Sequence, residues 1–251
     1  RYSRFPAADA VQPQPWGFLF NPTGPFLNRC LARFYPGVDI LRRTAKELEP
    51  DSFVNLGIGL PTGVATYVSP KSGIFFHSEN GLVGLGAKPA PGLEDPSLTD
   101  AGGGFAGAVP GAMSIDSTLS FGLVRGGHLA ATVLGGLQVD EEGRLANWIV
   151  PGKMVPGMGG AMDLVACANR VIVAMQHTAK GAPKIVPKCT LPLTADRRVD
   201  LIITDMAVIK PTDAGLVLLE RAPGVTVEQI VEATAAKLII EGDVPEMDLA
   251  A

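Results

Sequence analysis

From Gly37 onward the chain alternates between short apolar runs of strand length and helical stretches bounded by capping or breaking residues, and this alternation restricts it to few architectures. Repeated strand–helix–strand units bury both faces of a sheet under helices, so the inner strands run parallel and read as continuous apolar stretches. Asp39 is placed to cap a helix through Ile40, Leu41, Ala45 and Leu48 that stops before Pro50. Phe53-Val54-Asn55-Leu56 reads as a short strand entering Gly57-Ile58-Gly59-Leu60-Pro61, and Pro61 suits the first turn of a helix around Val64 to Val68. Ile74-Phe75-Phe76-His77 is too short for a helix and too apolar for an exposed strand. It predicts a buried parallel strand with Glu79 at its carboxyl end.

Further along, the pattern predicts a helix from Ser114 to Val124 ended by Gly126-Gly127, and a strand from Leu129 to Leu134. Asp140-Glu141-Glu142-Gly143 reads as a hairpin turn, Ala161 to Ala168 as a helix, and Arg170 to Met175 and Val199 to Thr204 as strands. Pro211 to Gly215 turns the chain into a strand over Leu216 to Leu219. Thr226 caps a helix to Ala235, and Leu238-Ile239-Ile240 closes the sheet. The expected fold is α/β: an open, mostly parallel twisted sheet flanked by helices, formed by residues 37–251 as one domain. Residues 1–36 read as an irregular N-terminal extension laid over a surface, with five of the ten Phe, six Pro, four Arg and one acid.

Composition removes several function classes. The 251 residues are 47% hydrophobic and 18% charged, enough to bury a full core, yet no apolar stretch reaches the length of a membrane span. A net charge of −4 without a basic stripe argues against nucleic acid. Cys30, Cys167 and Cys189 are odd in number and far apart, which offers no disulfide framework and points to a reducing cytoplasm. His77, His128 and His177 are equally scattered, so no metal site is expected.

Two features carry possible chemistry. Ligands in open α/β sheets bind beyond the carboxyl ends of strands, and Glu79 is the acid placed directly at such an end, followed by the chain-bending Asn80-Gly81. Gly152, Gly157, Gly159 and Gly160 precede the helix that opens at Ala161, a placement that brings backbone N–H groups close to a ligand and suits an oxyanion hole. Gly57-Ile58-Gly59 with Thr62-Gly63, after a strand, is a second possible anion cradle. Each also has a plainer reading: Glu79 as a capping or ion-pairing residue, and the glycines as turns.

Ser78-Glu79-Asn80-Gly81 with Gly84-Leu85-Gly86 resembles the signature of family I coenzyme A transferases. Asn55 to Pro61, Arg125 to His128, Leu145 to Trp148, Pro151 to Val155, Gly157 to Leu164, His177 to Gly181 and Cys189 to Thr194 resemble the same family in the same order. The likeness runs over roughly residues 38–245 and is to the beta (B-type) half of these enzymes, most like succinyl-CoA:3-oxoacid CoA-transferase. It implies that Glu79 attacks an acyl-CoA thioester and becomes a glutamyl-CoA thioester in ping-pong exchange with a carboxylic acid, expected to be a 3-oxoacid such as acetoacetate. It further implies an oxyanion and substrate pocket from Asn80, Gly81, Gly159, Gly160 and Ala161, and contacts to coenzyme A from Asn55, Gly57 and Gly59. Coenzyme A is then a substrate, with no permanently bound cofactor, and the partner is the alpha (A-type) CoA-transferase subunit in a heterodimer or heterotetramer.

Two positions depart from the family's pattern. Gly103 stands where a lysine is usual after Ala-Gly, and Leu119 where an acidic residue usually precedes Ser-Phe. Gly102-Gly103-Gly104-Phe105 superficially resembles the glycine motif of the alpha half, but its register belongs to the beta pattern. Two other functions use the same residues. A dinucleotide-binding oxidoreductase would cradle a pyrophosphate on Gly57-Ile58-Gly59 and hold ribose hydroxyls with Glu79, twenty residues on. A catalytically silent subunit would only scaffold a partner.

Overall fold

The computed structural model describes residues 37–152 and 158–249. The extension over residues 1–36, Lys153 and Gly157 lie outside the described residues.

Five parallel strands form the middle of a ten-stranded sheet: β1 (Phe53–Leu56), β2 (Phe75–Ser78), β5 (Ala131–Leu134), β8 (Arg170–Ala174) and β12 (Leu201–Ile203), in the spatial order β12-β8-β5-β1-β2. Beyond β2 the sheet continues through the antiparallel strands β3 (Leu82–Gly86) and β4 (Gly107–Ser114). Beyond β12 it continues through antiparallel β13 (Ala207–Thr212) and β14 (Gly215–Arg221), and β15 (Leu238–Ile239) pairs parallel to β14 at the edge. Separate from it are a three-stranded sheet of β6 (Gln138–Asp140), β7 (Leu145–Ala146) and β11 (Ile185–Val186), and a two-stranded sheet of β9 (Thr178–Ala179) and β10 (Ala182–Pro183).

Period-two alternation divides the core between the two faces. Val171, Val173 and Ile202 point into one apolar cluster, which takes in Val124 of α2 (Ser117–Arg125), Leu164 of α3 (Ala161–Cys167) and Ile230 of α4 (Val227–Ala233). Ile172, Ala174, Leu201 and Ile203 point into the other, with Ile40 of α1 (Val38–Ala45). Burial on both faces explains why these strands read as unbroken apolar runs. It also holds the carboxyl ends of β1, β2 and β5 side by side.

The boundaries correct the sequence reading in several places. Gly37, at φ +110°, caps α1 in place of Asp39, which lies inside the first turn. The helix expected around Val64 is a 3₁₀ segment over Leu60–Tyr67, with Pro61 near its start. The helix expected from Ser114 begins at Ser117, because Asp116 accepts from the N–H of Leu119 at 2.8 Å and fixes the cap there. Residues before that cap form β4, and Pro211 lies within β13 rather than in a turn. Thr226 caps α4 as expected, in a capping box with Gln229.

Candidate active site

β1 lies between β2, its successor in the chain, and β5, so the strand order reverses between β1 and β5. A crevice opens at such a reversal, because the loops leaving the two strands diverge to opposite sides. A cavity of about 520 Å³ occupies this place, lined by Gly57 and Ile58 after β1, Glu79 after β2, and Gly135 and Gly136 after β5. Asn147, Trp148, Gly159 and Ala161 complete much of the wall.

Glu79 is half-buried, and its Oε1 accepts a hydrogen bond of 3.0 Å from the backbone N–H of Gly160. A β-carbon at Gly160 would lie 2.8 Å from Glu79 Oε2 and 2.7 Å from the ring of Phe121, so only glycine lets the loop approach the carboxylate this closely. Gly159, at φ +57°, faces the same carboxylate. Arg125 of α2 makes a bidentate contact with Asp163 of α3, which joins the two helices beside this approach.

The remaining expected site residues do different work. Asn80 is exposed and donates to the Thr99 carbonyl at 2.8 Å, pinning the loop that carries Ala101 to the cavity wall. The N–H of Ala101 donates to Ser78 Oγ at 2.9 Å, a second tie on that loop. Gly81 takes φ +110°, and a β-carbon there would sit 2.0 Å from the Ile115 carbonyl oxygen; it reverses the chain into β3. Gly57 lines the cavity, but its N–H is taken by the Val133 carbonyl at 2.8 Å, which removes one donor from the expected pyrophosphate cradle. Gly59 opens instead on an adjoining cavity of about 280 Å³. Asn55 is fully buried, with both ends of its amide engaged by protein partners, and does not line either cavity. Gly103 stands at φ +76° in a turn held by the Asp100 carboxylate, a backbone conformation that a lysine adopts only with strain. Leu119 is half exposed on α2.

Sequence reasoning missed Gly135 and Gly136, which follow a strand just as Gly57 does. Their role depends on β1 and β5 being neighbours, and strand order is not written in local periodicity. His77, expected in a buried strand, is indeed fully buried, and burial pushes its imidazole down to about 4; what sequence reasoning missed is its side-chain partners, Asn55 and Ser120. Among the described residues no three His, Cys, Asp or Glu side chains converge to hold a metal, and no helix is long and apolar enough to cross a membrane.

The model of the coenzyme A transferase family matches residues 38–233. The chain belongs to this family. Several relatives are beta subunits: it is 51% identical over 211 residues to that of the acetate CoA-transferase of Haemophilus influenzae, covering 84% of this chain and 94% of that protein. It is 47% identical over 199 residues to the corresponding subunit of the succinyl-CoA:3-ketoacid coenzyme A transferase of Helicobacter pylori, covering 79% and 96%. The crystal structure of the acyl-CoA transferase YdiF of Escherichia coli O157:H7 superposes with a TM-score of 0.67 over 85% of this chain and 43% of that one. At 22% identity that likeness shows the shared fold. Family I transferase, beta side, is therefore the class in which the Glu79 cavity has to be understood.

Proposed function

We propose that this chain is the beta subunit of an enzyme that transfers coenzyme A between an acyl-CoA and a carboxylate, with Glu79 as the covalent carrier. The observation that supports it most is the Glu79 carboxylate beside a 520 Å³ cavity with a backbone N–H 3.0 Å from one of its oxygens. The Glu79 carboxylate attacks the thioester carbonyl, the C–S bond breaks, and a mixed anhydride and CoA thiolate result. The thiolate then attacks the glutamyl carbonyl of the anhydride, releasing the donor's carboxylate and leaving glutamyl-CoA. An incoming carboxylate attacks this thioester, expels the thiolate and forms a new anhydride. Attack of the thiolate on the acyl carbon yields the new acyl-CoA and frees Glu79.

A carboxylate is a weak nucleophile, so the barrier must fall through positioning and charge stabilisation. Whenever the glutamyl carbon is attacked, negative charge builds on its non-bridging oxygen. The Gly160 N–H that now holds Oε1 is the donor for that charge, a contribution typically worth on the order of 10²–10³ in rate.

Acetate and 3-oxoacids such as acetoacetate are the acceptors we favour. The described residues lining the cavity include Ile58, Leu137, Trp148 and Met158 but neither Lys nor Arg, so this wall offers no cationic partner to a second carboxylate. The alpha subunit supplies the rest of the site. Glu79→Gln keeps the shape and the Gly160 contact but removes the nucleophile; the assembled enzyme carrying it should lose ping-pong exchange with assembly intact. Exchange at an undiminished rate would remove Glu79 from the mechanism, and tight NADH binding would favour the oxidoreductase.

A further inference from the structure

Asn55 of β1 stands in register with His77 of β2 on one side and Thr132 of β5 on the other. The three form a polar row across three neighbouring strands, on the face opposite Val54, Leu56, Phe76 and Val133. All three are fully buried, as is Ser120 of α2, which packs over the row. Apolar residues would serve a core better, because an unpaired buried polar group costs roughly 1–3 kcal/mol. Among the described residues, however, no buried side-chain nitrogen or oxygen lacks a partner.

The bonds run in one direction. Thr132 Oγ1 donates to Asn55 Oδ1 at 2.8 Å, and Asn55 Nδ2 reaches His77 Nδ1 at 3.2 Å. His77 Nε2 lies 2.9 Å from Ser120 Oγ, which donates to the backbone carbonyl of Glu79 at 2.8 Å. Because Ser120 spends its proton on Glu79 and Asn55 offers an N–H, His77 is assigned as the neutral tautomer with its proton on Nε2. The Phe53 ring stacks at a tilt on the imidazole, 5.3 Å between centroids, and burial keeps His77 neutral at physiological pH.

We propose that Ser120 and His77 are positioning residues for Glu79: the chain Thr132–Asn55–His77–Ser120 anchors the Glu79 carbonyl to the rigid centre of the sheet and so aims its carboxylate into the cavity. The Gly160 N–H fixes the tip of the side chain, and Ser120 fixes its base. This rests on Glu79 being the nucleophile. It also accounts for polar residues buried where the neighbouring alternation is apolar.

The test is single-turnover formation of the Glu79 thioester by the assembled alpha–beta enzyme, with the best donor among acetyl-, acetoacetyl- and succinyl-CoA. Ser120→Ala should form the same adduct about tenfold to a hundredfold more slowly, with the KM for acyl-CoA within about twofold of wild type, as expected of misplacement rather than lost binding. His77→Gln, whose amide N–H still reaches Ser120, should retain a rate within about threefold of wild type. Ser120→Ala acylating at the wild-type rate overturns the proposal, and His77→Gln as slow as Ser120→Ala removes the His77 N–H from the chain. Should Ser120→Ala fail to assemble, Thr132→Val cuts the far end of the same row and is judged by the same slowing. Absence of any Glu79 adduct in the wild type contradicts the nucleophile reading instead, so the two failures are distinguishable.

Discussion

Glu79 and Gly160 are 81 residues apart in the chain and meet at one hydrogen bond. The glutamate was legible in the sequence because an apolar run of strand length ended on it. The glycine was legible only as part of a cluster, since nothing local says that its N–H would face that carboxylate. Asn55 was legible as part of a motif but not in its role, because a polar residue inside an apolar strand declares its partners only when the register of the neighbouring strands is known. Gly160→Ala tests the close approach: the added carbon must push on Glu79 Oε2 or on the end of Phe121. Turnover should fall on the order of 10²-fold while the complex still assembles. Steady-state kinetics at wild-type level would mean that the contact between Gly160 and Glu79 does not matter.

At the scale of elements, the strands buried on both faces were the most legible, and those with proline or glycine the least. β4 includes Gly107, Pro110 and Gly111 and was not legible as a strand, yet it forms the edge of the sheet, where only one side needs ladder donors. β13 tolerates Pro211 because β12 pairs with it only at Val208 and Ile209, leaving the proline beyond β12's reach. A longer-range tie was equally hidden: His177, after β8, bridges Thr204 after β12 and Thr234 after α4 at 2.9 Å each. Burial pushes this imidazole down to about 4 from an ordinary 6.5, with Asp205 opposing the shift. Between those values the unfolded chain binds a proton that the folded chain does not, so stability falls as pH drops from about 6.5 towards 4 and gains no further slope from this group below that. The loss attributable to His177 should be about 2 kcal/mol by pH 5. Urea unfolding of wild type and His177→Gln at pH 7 and pH 5 measures it: the wild type should lose more stability between the two. Equal losses would show that His177 accepts its proton without unfolding.

For the whole molecule, the sequence conveyed the class of fold, and the order of strands supplied the place of the site. The reversal between β1 and β5 brings loops from distant parts of the chain to a single crevice, and both apolar clusters hold the strand ends that form it. A rigid floor of this kind suits a reaction in which the same carboxylate must meet a thioester, a thiolate and an acid in turn. The most direct measurement is peptide mass spectrometry of the assembled enzyme, incubated with acyl-CoA and then quenched with hydroxylamine. The peptide containing Glu79 should appear as its hydroxamate only when acyl-CoA is present. A modified enzyme in which that peptide is unchanged, and another side chain holds the label, would contradict Glu79 as the carrier of coenzyme A.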